Sequence, residues 1–223
     1  MKINLQYFGG RGSSSGGGLK TSFPSGMGGG SAPKGMDAQP GMEPTTEAAL
    51  GTRGRAMGVT AAVQGANPFY DMGAEYQYNC QRCVVATEAR MRGYDVEALP
   101  TFDNDKMPSN GGYLTNFVDP NPVRISGSSG KRIQTQVENE MANYGDGSRA
   151  ILRVGWRGGG SGHVLNVVQR NGKTQYYDGQ NGTRVDATAL FGAISTSQPT
   201  VVTRVDNLAF SSTANAAVRP RRK

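Results

Sequence analysis

Apolar positions recur at helical spacing in KRIQTQVENEMANYG, where Ile133, Val137, Met141 and Tyr144 fall on one stripe and Gly145 follows as a stop. An earlier helix is expected from Cys80 to about Arg92. Asn79 stands where an N-cap side chain can accept a first-turn N–H, and Gly93 stands at the C′ position. Arg90 and Arg92 lie in the last turn, where the helix dipole favours cations. Beyond Gly93 the pattern turns to alternation. YDVEAL reads as a strand, PTFDNDKMPSNGG as a loop, and RAILRVGW, HVLNVVQ and TQYYD as strands after the second helix. DATALFGAI predicts a short helix and TVVTRV a last strand. Helix first and antiparallel strands after give an α+β domain.

HVLNVVQ and TQYYD are joined by RNGK, and Asn-Gly between two alternating runs predicts a two-residue type I′ turn. With Asn171 and Gly172 in the turn, Arg170 faces Lys173, Val167 faces Tyr176, and Leu165 faces Asp178. His163 then stands across from Gln180, with Asp178 as its diagonal neighbour on the same face. A one-residue slip would turn His163 to the other side, so the inference depends on the turn.

Composition changes the picture at the ends. Of 33 glycines, fifteen fall in residues 1–58, where Gly, Ser and Pro are too dense to bury a core. This predicts a disordered leader over 1–58, a folded domain over 59–210 and a basic tail over 211–223. The formal charge of +7 belongs to the ends, since residues 59–218 balance at fourteen cations against fourteen anions. The charge therefore gives no case for a nucleic-acid partner. No apolar run approaches the roughly 18 residues of a membrane span, and MKINLQYF is too short for a signal-peptide core.

The candidate chemistry lies in two places. NCQRC holds both cysteines, and GGGSGHVLNVVQ holds the one histidine, His163. A structural zinc site calls for about four ligands, and two thiols with one imidazole fall short. A redox C-x-x-C expects a strand before it, which the residues preceding Cys80 do not suggest. The third reading is a nucleophilic site: a thiol at a helix start, where thiolate is favoured, His163 as base on a following strand, and Asp178 as the group that orients the ring. An ordinary strand histidine competes with it. The helix position favours Cys80 as nucleophile.

NCQRCVVATEARMRGYDVEALP together with GHVLNVVQRNGKTQYYDGQNG resembles the papain-fold toxin domains, the papain fold toxin 1, glutamine deamidase group (Tox-PL). These occur in bacterial polymorphic toxins and phage head-morphogenesis proteins. The resemblance covers roughly residues 65–205 and implies a papain-like fold. It also implies a thiol enzyme without metal or cofactor, acting on glutamine side chains or peptide bonds of a host protein. Its motif residues match Asn79, Cys80, Cys83, Gly162, His163, Asp178 and Gln180, with Gly179 where the pattern has proline. In papain the later cysteine of the pair reacts, with an oxyanion glutamine six residues earlier. Gln77 stands six before Cys83, so that spacing favours Cys83 and leaves the choice of nucleophile open. An immunity protein and phage capsid proteins are further partners the resemblance implies. MKINLQYFGGRGSSSGG looks like the leader of a phage structural protein, which would make the chain virion-associated or, once delivered, resident in bacterial cytoplasm. On that view a capsid-associated protein with an inert papain-like domain is the alternative to an enzyme.

Overall fold

The structure is a computed structural model that describes residues 50–102 and 111–221. The expected leader therefore lies outside the described residues up to 49, as does most of the loop expected after Pro100. In chain order the elements are α1 (Val59–Gln64), α2 (Ala74–Gln77), α3 (Cys80–Met91), β1 (Val96–Ala98), β2 (Pro122–Ile125), α4 (Gly130–Tyr144), β3 (Arg149–Gly155) and β4 (Gly162–Arg170). They continue with β5 (Lys173–Asp178), β6 (Thr183–Val185), α5 (Ala187–Ala193), β7 (Thr200–Arg204) and β8 (Val218–Pro220). Short 3-10 turns fall at Tyr70–Met72, Gly112–Asn116 and Ser212–Ala216.

Six strands form one antiparallel sheet in the order β2-β7-β3-β4-β5-β6. Successive side chains of a strand point to opposite faces, and here both faces are covered. Ile151 and Val164 pack with Val84 and Val85 of α3, whereas Leu152, Val154, Leu165 and Val167 pack with Ile133, Val137 and Met141 of α4 and with Phe191 of α5. The expected stripe of α4 is thus its buried face, with Tyr144 packed at the margin. Each such aliphatic side chain contributes about 1.5–3 kcal/mol by leaving water.

Helix α3 packs against β3 and β4, and ten of its twelve residues are buried. One of them is Glu88, with no exposed surface, held by Arg92 at 2.7 Å and by both Arg149 Nε and Nη2 at 2.9 Å. Its carboxylate is a rivet between α3 and the start of β3. Gly93, at φ 101°, ends the helix; a Cβ there would lie 2.3 Å from the Gly54 carbonyl oxygen.

Both ends of the folded domain lie further out than the sequence suggests. Leu50 is 1% exposed and belongs to the core beneath α3, Gly54 N–H donates to Gly93 O at 2.8 Å, and Arg53 bridges Tyr94. So residues 50–58, read as leader, are part of the packing. Residues 212–220, read as tail, are a 3-10 turn and then β8, which pairs antiparallel with β1. Val218 is buried, and Arg219 bonds Glu97 at 2.7 Å. A three-residue strand with two exposed positions reads as polar tail because its pairing partner is more than a hundred residues away.

Candidate active site

The site forms where the start of α3 meets the ends of β3, β4 and β5. The hairpin between β4 and β5 has the expected register, from Arg170↔Lys173 to Asn166↔Tyr177. Its turn residues Asn171 and Gly172 have φ of 51° and 68°, the type I′ conformation. That register delivers Asp178 to His163: Oδ2 lies 3.1 Å from His163 Nε2, with both side chains buried. The other carboxylate oxygen, Oδ1, accepts the Gln180 N–H at 2.9 Å. Burial pushes the His163 ring towards its neutral form, but Asp178 and a hydrogen bond with Cys80 outweigh it and lift its pKa to about 10.

Cys80 is half-buried and opens α3, where the first N–H groups of a helix point outward along its axis. The Arg82 and Cys83 N–H groups donate to the Asn79 carbonyl at 2.8 and 3.1 Å. Cys80 and His163 line one cavity of about 330 Å³, together with Gln81, Arg153, Ser161 and Gln198. Gly160 and Gly162 also line it; a Cβ would meet open space at Gly160, whereas at Gly162 it would lie 2.5 Å from the Val154 carbonyl oxygen, so that glycine lets β4 start close against β3.

Cys83 is different. It is 1% exposed, and burial, reinforced by Cys80 and Asp178, holds its thiol well above the ordinary range. Its S–H donates to Asn79 Oδ1 at 3.1 Å. Asn79 occupies the N-cap position, but its side chain does not cap the helix. Instead Oδ1 also accepts from Gln180 Nε2 at 3.4 Å, while Nδ2 donates to Asn67 Oδ1 at 3.2 Å and to Leu99 O at 3.1 Å. Asn67 Nδ2 in turn donates to Gln180 O at 2.9 Å and Tyr76 O at 2.8 Å. A buried amide cluster thus ties the residue before Cys80 to the residue two beyond Asp178.

Gln77 is not brought to this place. Its amide donates to Tyr70 O at 3.3 Å, and it is not among the residues lining the cavity. Gly179 fits by its lack of a side chain, since a Cβ there would lie 2.3 Å from Thr87 Oγ1 and 3.1 Å from Cys83 O of α3. Three neighbours escape sequence reading. Trp156 stacks on His163 at 6.1 Å between ring centroids and 19° between planes. Tyr70 lies near enough to Asp178 that burial, then that carboxylate, raises its phenol pKa. Asn67 is the third. The lone tryptophan just before GGGSG was a signal for the first; the other two gave none.

Among the described residues no group of His, Cys, Asp and Glu could hold a metal ion, and no helix is long and apolar enough to cross a membrane. Comparison with known families finds that residues 78–183 match the family described as papain fold toxin 1, glutamine deamidase. The matched segment spans Asn79, both cysteines, His163, Asp178 and Gln180. A helix bearing cysteine on an antiparallel sheet bearing histidine is the papain-like arrangement expected from the two motifs. Among solved structures, Salmonella effector SpvD in its G161 variant is similar at a TM-score of 0.44 and 15% identity, over 69% of this chain and 80% of that one. No curated protein matches the sequence.

Proposed function

We propose that this chain, whose residues 78–183 carry a papain fold toxin 1 match, is a cysteine-dependent amidohydrolase that deamidates glutamine side chains of a protein target. The observation that supports it is one buried imidazole held on one side by Asp178 at 3.1 Å and lining the same cavity as Cys80, whose influence joins that of Asp178 in raising the ring's pKa. A raised imidazole pKa favours a thiolate–imidazolium pair over the neutral thiol and ring.

The thiol proton of Cys80 passes to His163, and the sulfur attacks the carboxamide carbon. Nε2 is occupied by Asp178, which leaves Nδ1 to exchange protons with the sulfur and the substrate. Negative charge gathers on the amide oxygen, where backbone N–H groups at the start of α3 can receive it. One such donor is worth about 3–4 kcal/mol in comparable sites. His163 gives its proton to the departing nitrogen, ammonia leaves, and a thioester on Cys80 remains. Water, deprotonated by His163, then attacks the thioester; the glutamine has become glutamate and the thiol is regenerated. Asp178 keeps the ring oriented and stabilises its charged form throughout. Trp156, lying over the ring, shields it from bulk water.

The experiment is mass spectrometry of bacterial and host proteins incubated with the full chain. Glutamine converted to glutamate on a defined protein, absent with Cys80→Ala, supports the reading. Backbone cleavage instead would make the chain a peptidase with the same machinery. Neither change at any concentration would leave an inert papain-like module.

A further inference from the structure

The wall of the cavity beside Cys80 carries one side chain of fixed charge. Arg153 lies on β3 opposite Val164, and the next residue along, Val154, pairs with His163. The remaining polar side chains of the wall, Gln81, Ser161 and Gln198, are neutral, and among the described residues it contains no Asp or Glu. Gln81 is itself fixed, since its Oε1 accepts the Tyr113 N–H at 3.1 Å. Hydrolysis of an amide does not need a permanent cation at this place, because the oxyanion is served by N–H donors and the proton by His163. A guanidinium is, however, the group best suited to a carboxylate, offering several N–H donors in a fixed plane.

We infer that Arg153 is a specificity-determining residue, and that the amide accepted here carries a carboxylate close to the group being cleaved. The inference rests on Cys80 being the nucleophile of the proposed amidohydrolase. Two sources supply that chemistry: an acidic side chain beside the target glutamine in a protein, or the α-carboxylate of free glutamine. The several donors of a guanidinium let a substrate carboxylate share it with groups of the protein. The bare backbone at Gly160, where a Cβ would meet nothing within 4 Å, leaves room for a chain to lie against the same wall.

The test uses the full chain and two alkylating probes of like size, anionic iodoacetate and neutral iodoacetamide, with peptide mapping of Cys80. In Arg153→Gln the iodoacetate rate should fall about tenfold while the iodoacetamide rate changes less than about twofold, as expected from losing one charge-assisted contact. Arg153→Lys, which keeps the charge, should retain most of the iodoacetate rate and shows that the loss is not misfolding. Equal slowing of both reagents, or of neither, overturns the inference. A Cys80 inert to both in the wild type overturns the nucleophile assignment itself, and the carboxylate subsite falls with it. The second measurement compares hydrolysis of free glutamine with that of peptides having glutamine next to glutamate or next to alanine. Preference for the glutamate peptide, lost in Arg153→Gln, assigns a protein source. Turnover of free glutamine, lost in the same variant, assigns the small molecule. Equal turnover of both peptides and of free glutamine, with or without Arg153, contradicts the proposal.

Discussion

Cys83 donates its S–H to Asn79 Oδ1 at 3.1 Å, one turn into the helix that Cys80 opens. The two thiols of the C-x-x-C pair therefore have separate roles, one turned into a buried amide cluster and one facing the cavity with His163. Near neutral pH, iodoacetamide should modify Cys80 and leave Cys83 untouched until the protein unfolds. Faster labelling of Cys83 would give the nucleophile to the other cysteine, as the papain spacing suggests.

The amide cluster predicts a separation of rate from binding. Asn67→Ala strips donors from the Gln180 and Tyr76 carbonyls and loosens Asn79. A lost buried hydrogen-bond partner costs about 1–3 kcal/mol of stability. Because the cluster joins the two halves of the site, kcat should fall more than KM rises. A variant with reduced melting temperature but unaltered kcat would make Asn67 merely structural.

Removing Glu88 should be the costliest single change outside the site. Glu88→Gln leaves Arg92 and Arg149 without their carboxylate, and breaking a buried ion pair costs about 3–5 kcal/mol. Burial raises the Glu88 pKa, but Arg149 and Arg92 more than offset it and hold it below the usual value. A lowered carboxylate pKa stabilises the fold above the unfolded value and is lost as pH falls through the folded one. Denaturant midpoints measured down an acid series should therefore fall more steeply in the wild type than in Glu88→Gln.

His163 has the opposite sign. Its pKa rises from 6.5 to about 10, since Asp178 and Cys80 outweigh the burial that lowers it. The stability this contributes is complete below the unfolded value and is lost as pH climbs to the folded one. Urea midpoints between about pH 7 and about pH 10 should therefore fall less steeply in His163→Ala than in the wild type.

Truncation at the ends should be felt. A chain beginning at Leu50 keeps the buried leucine and the Arg53–Tyr94 bridge, and should unfold as cooperatively as the full chain. One beginning at Val59 loses Leu50, a core residue whose removal costs about 2–5 kcal/mol. Equal stability of the two would restore the leader boundary at residue 58.

Local rules made the hairpin legible. Asn171-Gly172 dictates a turn, the turn dictates a register, and the register carries Asp178 to His163. Helical periodicity found α4, and its stripe is the buried one. What stayed hidden depends on distant partners. Asn79 has the right type for a cap, yet its side chain is claimed by Asn67, Leu99 and Gln180, and no local pattern reports that competition. Strand β8 is three residues long and exists because β1 pairs with it. The entry of β7 between β2 and β3 is likewise a long-range choice. Gln77 has the spacing of an oxyanion residue, but it is the last residue of α2, the helix breaks between it and Cys80, and its amide turns to Tyr70.

In the proposed mechanism Cys80, His163 and Asp178 act as one unit, and the chain offers a direct view of that unit because His163 is its only histidine. An NMR titration of that single imidazole should give a midpoint near 10 in the wild type. In Asp178→Asn the midpoint should drop, and in Cys80→Ser it should drop as well, because each variant removes one of the groups that stabilise the charged ring. A midpoint close to 6.5 that is the same in all three proteins would contradict the account, leaving His163 an ordinary buried strand histidine.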